Sequence, residues 1–518
     1  MEILGLSVVL ALLPVVVILL LLVIRKTPAD LAGLVGWALA LGLAVAYFHT
    51  PLATALWASL AGSIASWPIA LMVATSIFQI TVMGETGALG RIVTLIKTVS
   101  PNDKVVQVLI INFGFGTLIA AMGATPVSIL PPIMLALGYT SFVSIALPAL
   151  GYDALCTYAL LGVPVVVFSD LVGLPVAEVG GYFARYMPVI STCIAFGMMW
   201  IVGRWKMMLK GLVPTLVSGL VAGFITIGMN ELELIPLTGI VAGLGVILVM
   251  LAYLKVRGLP LVDRSVLTAE DLAQEQKMSL WRALSPWLIL VAFSFLVNLP
   301  QLPFYELTFK KLAMPIEIIP GRPERVRLLW QAYFWILVST LLALPPLRAS
   351  GAQMASSLRK WGKRAPRPVL AAAVFFALAY VLNHSGKGLD WKLAEPLHNM
   401  IFVVADASAR VFGQAYPLIA PFLGLLGGFI SGSEASSLAI LTKLHLTTSE
   451  KIGALGLLVA AASGIGGGLA SVISPAKLQN AAATIDRIGE EGKVIPVCAV
   501  ISVTITAVCA LMTMLWAY

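Results

Sequence analysis

The sequence predicts an all-α polytopic membrane protein built from two inverted repeats, each with a re-entrant helical hairpin and a broken transmembrane helix. Three observations predict it. First, the 518 residues are 60% hydrophobic and 11% charged, with a mean hydropathy of +0.99; soluble domains carry about 25% charged residues. Such a chain divides into apolar runs of about 20 residues, the length that crosses a bilayer as helix. Second, one order of segments (amphipathic piece, interrupted hairpin, broken run, plain run) occurs twice, about 310 residues apart, as in repeat-built transporters. Third, Lys and Arg place the flanks of the first hairpin inside and those of the second outside, because basic loops stay cytoplasmic.

Residues 1–210 form the expected first repeat. Runs at 4–24 and 32–48 are plain spans joined by the basic turn Arg25-Lys26. The first run has no basic start and no small-residue cleavage site, so it reads as a span and not as a removed signal. Residues 52–83 make a longer run with a kink at Pro68. Arg91, Lys97 and Lys104 flank an amphipathic piece along the cytoplasmic surface. The hairpin follows at 105–137, its arms each shorter than a comfortable span and its tip punctuated by Met122-Gly123-Ala124-Thr125-Pro126; for this hairpin and the second, two short full spans are the plainer reading. The broken helix covers 143–167, interrupted at Pro148 and at Gly151-Tyr152-Asp153, and a plain span occupies 186–202.

Residues 211–367 connect the repeats through spans at 212–227, 237–254, 286–297 and 328–344. Between them lie a mixed-charge loop at 255–282, expected to hold a short amphipathic helix, and a polar outer segment at 301–327. The loop at 348–367 carries Arg359, Lys360, Lys363, Arg364 and Arg367 with no acid, which marks it as cytoplasmic. Residues 368–518 form the second repeat, with a span at 369–382, an amphipathic piece at 394–412, the hairpin at 421–446, the broken helix at 452–479 and a plain span at 494–516.

The polar interruptions carry the chemistry. Ser431-Gly432-Ser433-Glu434-Ala435-Ser436-Ser437 breaks an apolar run. At membrane depth a hydroxyl-rich knot with a carboxylate is costly unless protein or a water-filled cavity surrounds it. Interrupted helices also free N–H and C=O ends that hold substrates and ions. Glu434 and Asp153 are therefore the expected proton- or ion-coupling acids; a helix cap for Glu434 and an interfacial acid for Asp153 are the plainer readings. Gly123, Thr125, Tyr152, Ser431, Ser433, Ser436, Ser437, Gly466 and Ser474 form the expected substrate-binding set. Hydroxyls can bond a carboxylate, and half-helix starts add positive potential, although Ser and Thr also join helices in lipid. Gly464, Gly466, Gly467 and Gly468 read as a helix break that exposes backbone. Lys477 either reaches this site as the cationic partner of an anion or snorkels to the cytoplasmic surface.

The four histidines (His49, His384, His398, His445) fall near span ends and read as interfacial, and the four cysteines read as buried free thiols. No metal cluster, nucleotide fingerprint or catalytic-triad pattern is apparent, so no cofactor, no metal, no catalytic residue and no enzyme activity are expected. The net charge of +9 resides in inter-helix loops and implies no nucleic-acid partner. The expected place is the cell inner (plasma) membrane.

With these residues in view the chain resembles the lactate permease family of bacterial carboxylate transporters. The likeness is closest over Phe429-Ile430-Ser431-Gly432-Ser433-Glu434-Ala435-Ser436-Ser437 and over the Gly-rich run through Ile473-Ser474-Pro475. It is looser over Phe113-Gly114-Phe115-Gly116, Ala124-Thr125-Pro126 and Gly162-Val163-Pro164. The resemblance implies uptake of L-lactate, glycolate or a similar small organic anion by proton symport. It also implies an elevator-type transporter in which one domain slides against a dimerised scaffold, hence a homodimer in a lipid bilayer. Two departures stand out. Ala120-Ala121-Met122-Gly123 replaces a glutamate-bearing first tip, and Ser471 stands where the family tends to carry a lysine. The rival readings are a Na+-coupled carrier of another carboxylate or sulfonate, and a membrane-embedded lipid-modifying enzyme.

Overall fold

A computed structural model describes residues 2–25, 27–99, 103–299, 302–487 and 489–518. Lys26 and Gln301, assigned above to a basic turn and an outer segment, lie outside the described residues. Twelve helices among the described residues are long and apolar enough to cross a membrane, as the hydropathy predicts. Their outward faces are greasy. On the Glu2–Val23 helix, Leu6, Val9, Leu12, Val16 and Leu20 are all exposed, and their three-to-four-residue spacing gives one stripe for lipid. Inward faces carry small residues that let backbones approach, the usual device where lipid supplies no hydrophobic drive. A Cβ on Gly223 would sit 2.2 Å from Pro188 Cα, which locks Leu212–Glu231 against Met187–Lys210.

The first hairpin consists of Lys104–Ala121 and Pro126–Ala136, antiparallel arms. Tyr139 Oη donates to Gln107 Oε1 at 3.0 Å near its base, and Asn112 Nδ2 reaches Met134 Sδ at 3.3 Å. The second consists of Tyr416–Ser431 and Glu434–Ile452. Each hairpin is followed by an interrupted helix. The first runs Ser141–Asp153, a single turn at Cys156–Tyr158, then Ala159–Val172, and bends by 66°. The second runs Gly456–Leu469, a single turn at Ser471–Ile473, then Pro475–Ala483. A long closing helix follows each, Met187–Lys210 and Glu491–Trp516.

Ion pairs fasten the basic face. Arg367 donates through Nε and Nη2 to buried Asp30 at 2.9 and 3.1 Å. The amphipathic Ala88–Lys97 helix is tied to Ala269–Lys277 by Lys97–Asp271 at 2.8 Å and Arg91–Glu275 at 3.1 Å. The helix at 269–277 is the one expected within the mixed-charge loop.

Five expectations need correction. The run at 52–83 is two helices, Leu52–Ala65 and Trp67–Glu85, with Pro68 in the first turn of the second, where its missing N–H costs nothing. The basic loop at 348–367 is largely a helix, Gly351–Arg364, closed by a Ser350–Gln353 capping box and anchored by Trp361 Nε1 to Ala74 O at 2.8 Å. The outer segment contains a two-stranded hairpin, β1 Met314–Ile319 and β2 Arg322–Val326, turned at Pro320-Gly321 with Gly321 at φ +73°. A further helix, Val176–Ala184, follows the first interrupted helix. Residues Gly464 to Gly468 do not break their helix, which runs on to Leu469. They are packing sites instead. A Cβ on Gly466 would stand 2.0 Å from Pro421 O, on Gly467 2.9 Å from Ser437 Cβ, and on Gly464 2.7 Å from Leu438 Cδ2. The interruption falls one turn later.

Candidate functional site

The site forms where the two interruptions meet. In the first, Ser141–Asp153 opens on a Thr140 cap whose Oγ1 accepts from Val143 N at 3.3 Å. Pro148 sits inside this helix without ending it, so the break expected at 148–153 lies just beyond Asp153. The chain then makes its one turn and passes through three left-handed residues, Leu160, Leu161 and Gly162, at φ +55°, +56° and +75°. Leucine in that region costs about 1–2 kcal/mol per residue, and such strain persists only where surrounding structure imposes it. In the second interruption Ser474 adopts an extended conformation and Pro475 starts the next helix, a position suited to its fixed φ.

The two turns touch. Cys156 Sγ lies 3.8 Å from Ser471 Oγ, and Val472 N donates to Asp153 Oδ2 at 3.1 Å. Thr157 Oγ1 donates to Glu434 Oε1 at 2.7 Å, bringing the second hairpin's tip onto the same turn. Lys477 Nζ donates to Ser471 Oγ at 2.7 Å and stands 4.1 Å above the Tyr152 ring. The snorkelling reading of Lys477 is thus corrected: the ammonium points inward, held by a hydroxyl and an aromatic face.

Glu434 and Asp153 are 3% and 4% exposed. That burial places both acids inside the protein. Glu434 Oε2 and Asp153 Oδ1 lack a hydrogen-bond partner of proper geometry among the described residues. A buried carboxylate oxygen left without a donor is costly, and a proton on either oxygen relieves that cost. Space there is bounded by Gly468, where a Cβ would stand 2.5 Å from Glu434 Oε2 and 3.2 Å from Cys156 Cβ.

The remaining expected residues divide. At the second tip Gly432 is left-handed (φ +69°) and lies toward Ser474 Oγ, 4.0 Å from where its Cβ would be. Ser433 caps Glu434–Ile452 by accepting from Ser436 N at 3.5 Å, and Ser436 is buried beside it. Ser431 Oγ donates back to Gly427 O at 2.8 Å, and Ser437 Oγ to Gly424 O at 3.1 Å. The Ser431 bond stays within its own helix, whereas the Ser437 bond ties the two hairpin arms together. Gly466 lies away from the acids, against Pro421. At the first tip Gly123 is left-handed (φ +88°), with Leu160 and the unpartnered Ser76 Oγ beside it. Thr125 starts Pro126–Ala136 with no side-chain cap bond. Both tips therefore border the 156–162 segment.

The sequence reading placed Cys156 among buried thiols and Gly468 in a helix break, and gave neither them nor Thr157 a role in the site. The available signal was their spacing: Cys156 and Ser471 occupy the same place in the two interruptions, 315 residues apart. His445, expected at an interface, is fully buried between Tyr416 Oη (2.8 Å from Nδ1) and Ser463 Oγ (2.7 Å from Nε2). It joins the hairpin arms to the interrupted helix. Cys156, Cys498 and Cys509 are buried free thiols as expected, whereas Cys193 is half-buried. Among the described residues no three His, Cys, Asp or Glu side chains are placed to hold a metal ion.

The L-lactate permease family profile matches residues 7–518. The chain is similar to the L-lactate permease of Escherichia coli K12, with 25% identity over 523 residues, 93% of this chain and 91% of that one. It is similar to the glycolate permease GlcA of the same organism, 25% identical across 99% of this chain and 96% of that one. It is also similar to the L-lactate permease of Bacillus subtilis 168, 23% identical across 94% and 91%.

Proposed function

The chain belongs to the L-lactate permease family, and from that premise we propose that it imports a small monocarboxylate such as L-lactate or glycolate by proton symport. Membership makes it a multi-pass membrane transporter and not an enzyme; its relatives are named as permeases, consistent with the inner membrane. The observation that carries the finer reading is Glu434, buried with one oxygen on Thr157 and the other unpartnered, next to an inward-facing Lys477. Charge moves in a matched way at such a site. A monocarboxylate entering a negative-inside cell opposes about 2.3 kcal/mol per 100 mV, and one accompanying proton removes that opposition.

In this reading Lys477 Nζ and the hydroxyls of Ser433, Ser436 and Ser474 receive the substrate carboxylate. Glu434 takes the proton on Oε2 from the outer side, which relieves the cost of a charged oxygen with no donor. Substrate and proton then leave together on the inner side. Asp153, held by Val472 N, balances Lys477 when the substrate is absent. Lys477 supplies the ammonium that the family resemblance places at position 471. The two-fold recurrence of hairpin, interrupted helix and closing helix supports inverted repeats at 1–210 and 368–518 around a connecting region. With them we propose an elevator movement within a homodimer.

The test is uptake of radiolabelled L-lactate into sealed proteoliposomes under an imposed pH gradient or an imposed Na+ gradient. Accumulation driven by the pH gradient alone supports the proposal. Accumulation that needs Na+ and ignores pH replaces it with the sodium-coupled rival.

A further inference from the structure

A separate cavity of about 1140 Å3 lies between the 169–177 segment, the β1–β2 hairpin and the ends of the Pro366–His384 and Glu434–Ile452 helices. Thr442 lines it, eight residues beyond Glu434, or about 12 Å along a helix. The Pro366–His384 helix begins beside the basic Gly351–Arg364 helix and ends in the cavity wall at Asn383 and His384. The cavity therefore opens on the face opposite the basic one, the extracytoplasmic face by the charge rule.

Its lining is cationic, with six lysines and arginines against four carboxylates. Lys387 is held below the ordinary ammonium range, first by burial and then by the neighbouring charges of Arg322 and Lys443. A standing positive potential of this kind attracts small anions. At the wall, Arg327 is 5% exposed and Trp330 7%. Arg327 Nη1 donates to Asp170 Oδ1 and Oδ2 at 3.0 and 3.1 Å, and its guanidinium lies 4.2 Å over the Phe309 ring. Phe309 in turn meets Trp330 edge-on at 4.7 Å. Arg327 Nε and Trp330 Nε1 are buried donors with no partner among the described residues, and Asn298 Oδ1 and Asn383 Oδ1 are acceptors in the same condition. The unused Nε of the stacked guanidinium and the indole N–H, both packed on the Phe309 ring, are donors of the kind that take a carboxylate, and the amide oxygens in the same wall are acceptors of the kind that take a hydroxyl.

We propose that this outer cavity is a second, vestibular binding site for a small hydroxycarboxylate, held by Arg327 Nε and Trp330 Nε1, with Asp170 competing for the guanidinium. The site would concentrate substrate ahead of the Glu434 site. The choice of probe and the delivery of substrate to the Glu434 site rest on the function proposed above; the binding site itself does not.

The test is calorimetric titration of the purified full-length protein with L-lactate at low salt. Wild type shows two sites. Asp170→Asn removes the competing carboxylate and tightens one site about fivefold while leaving the other unchanged. Trp330→Phe weakens that same site, and the charge-neutral pair Asp170→Asn/Arg327→Gln abolishes it. Wild-type stoichiometry in the double variant, or unchanged affinity in both Asp170→Asn and Trp330→Phe, overturns the proposal. Proton-driven uptake by the same proteins keeps the two ideas apart. Arg327-dependent binding without such uptake leaves the vestibular site standing and removes symport; uptake without Arg327-dependent binding does the reverse.

Discussion

The two interrupted helices share an element order and differ in almost everything else. The first bends by 66° and forces two leucines and a glycine into left-handed geometry. The second continues as one 28-residue span from Gly456 to Ala483, with only a single turn at Ser471–Ile473 inside it. Their chemistry differs as well. The first contributes Tyr152, Asp153 and Thr157, the acid and the donor; the second contributes Lys477 and the close approach of Gly468 to the Glu434 carboxylate. Two interruptions that follow the same order of elements thus supply opposite charges to one place, and the first carries left-handed leucines of its own. Fold recurrence locates the site, whereas only the side chains say what it can bind.

Single substitutions sharpen that comparison. The largest effect belongs to the second helix's packing face. Gly466→Ala drives a Cβ to 2.0 Å from the backbone oxygen of Pro421, an atom that cannot rotate away. It should cost at least about 3 kcal/mol of stability and abolish recovery of monodisperse protein. Gly468→Ala, two residues on, meets a movable carboxylate at 2.5 Å. It should leave the melting temperature nearly unchanged and cut uptake on the order of tenfold; equal destabilisation by both would dissolve the distinction between packing and site glycines.

Lys477→Met comes next. With the ammonium gone, Asp153 loses its nearest inward cation, and initial uptake should fall on the order of tenfold with a raised KM. Restoration of wild-type KM by Lys477→Arg would tie the effect to charge.

The smallest effect lies at the basic face. Burial pushes the Asp271 carboxyl up, but the Lys97 ammonium and Thr268 outweigh it and hold it below its ordinary value of 3.8. A lowered folded-state value means stability fully present above the ordinary value of 3.8 and lost as pH falls through the folded one. Asp271→Asn should cost about 0.5 kcal/mol at pH 7, measured by thermal shift, and the difference should vanish in strong acid.

Much of this was legible in the sequence. The apolar helices follow from hydropathy, and the burial of Glu434 and Asp153 from the cost of polar groups within apolar runs. The glycine run misled because a break and a crowded helix share a composition. Gly464, Gly466 and Gly467 each face a different neighbour, and density on several faces reads as disruption until those neighbours are known. The inward turn of Lys477 was hidden because it depends on Ser471 and Tyr152, which are contributed by different interrupted helices. The left-handed leucines carry no sequence signal, since nothing in leucine favours positive φ. The Arg327–Trp330 cluster lay in a segment that looked merely polar, and only folding brings Asp170 to it.

The most direct measurement is Glu434→Gln reconstituted beside wild type, scored for L-lactate uptake under a pH gradient and for L-lactate exchange with no gradient. The account predicts that gradient-driven uptake falls on the order of 100-fold while exchange persists, because the amide still fits the site but no longer takes and releases a proton. Undiminished pH-driven accumulation by that variant would contradict it.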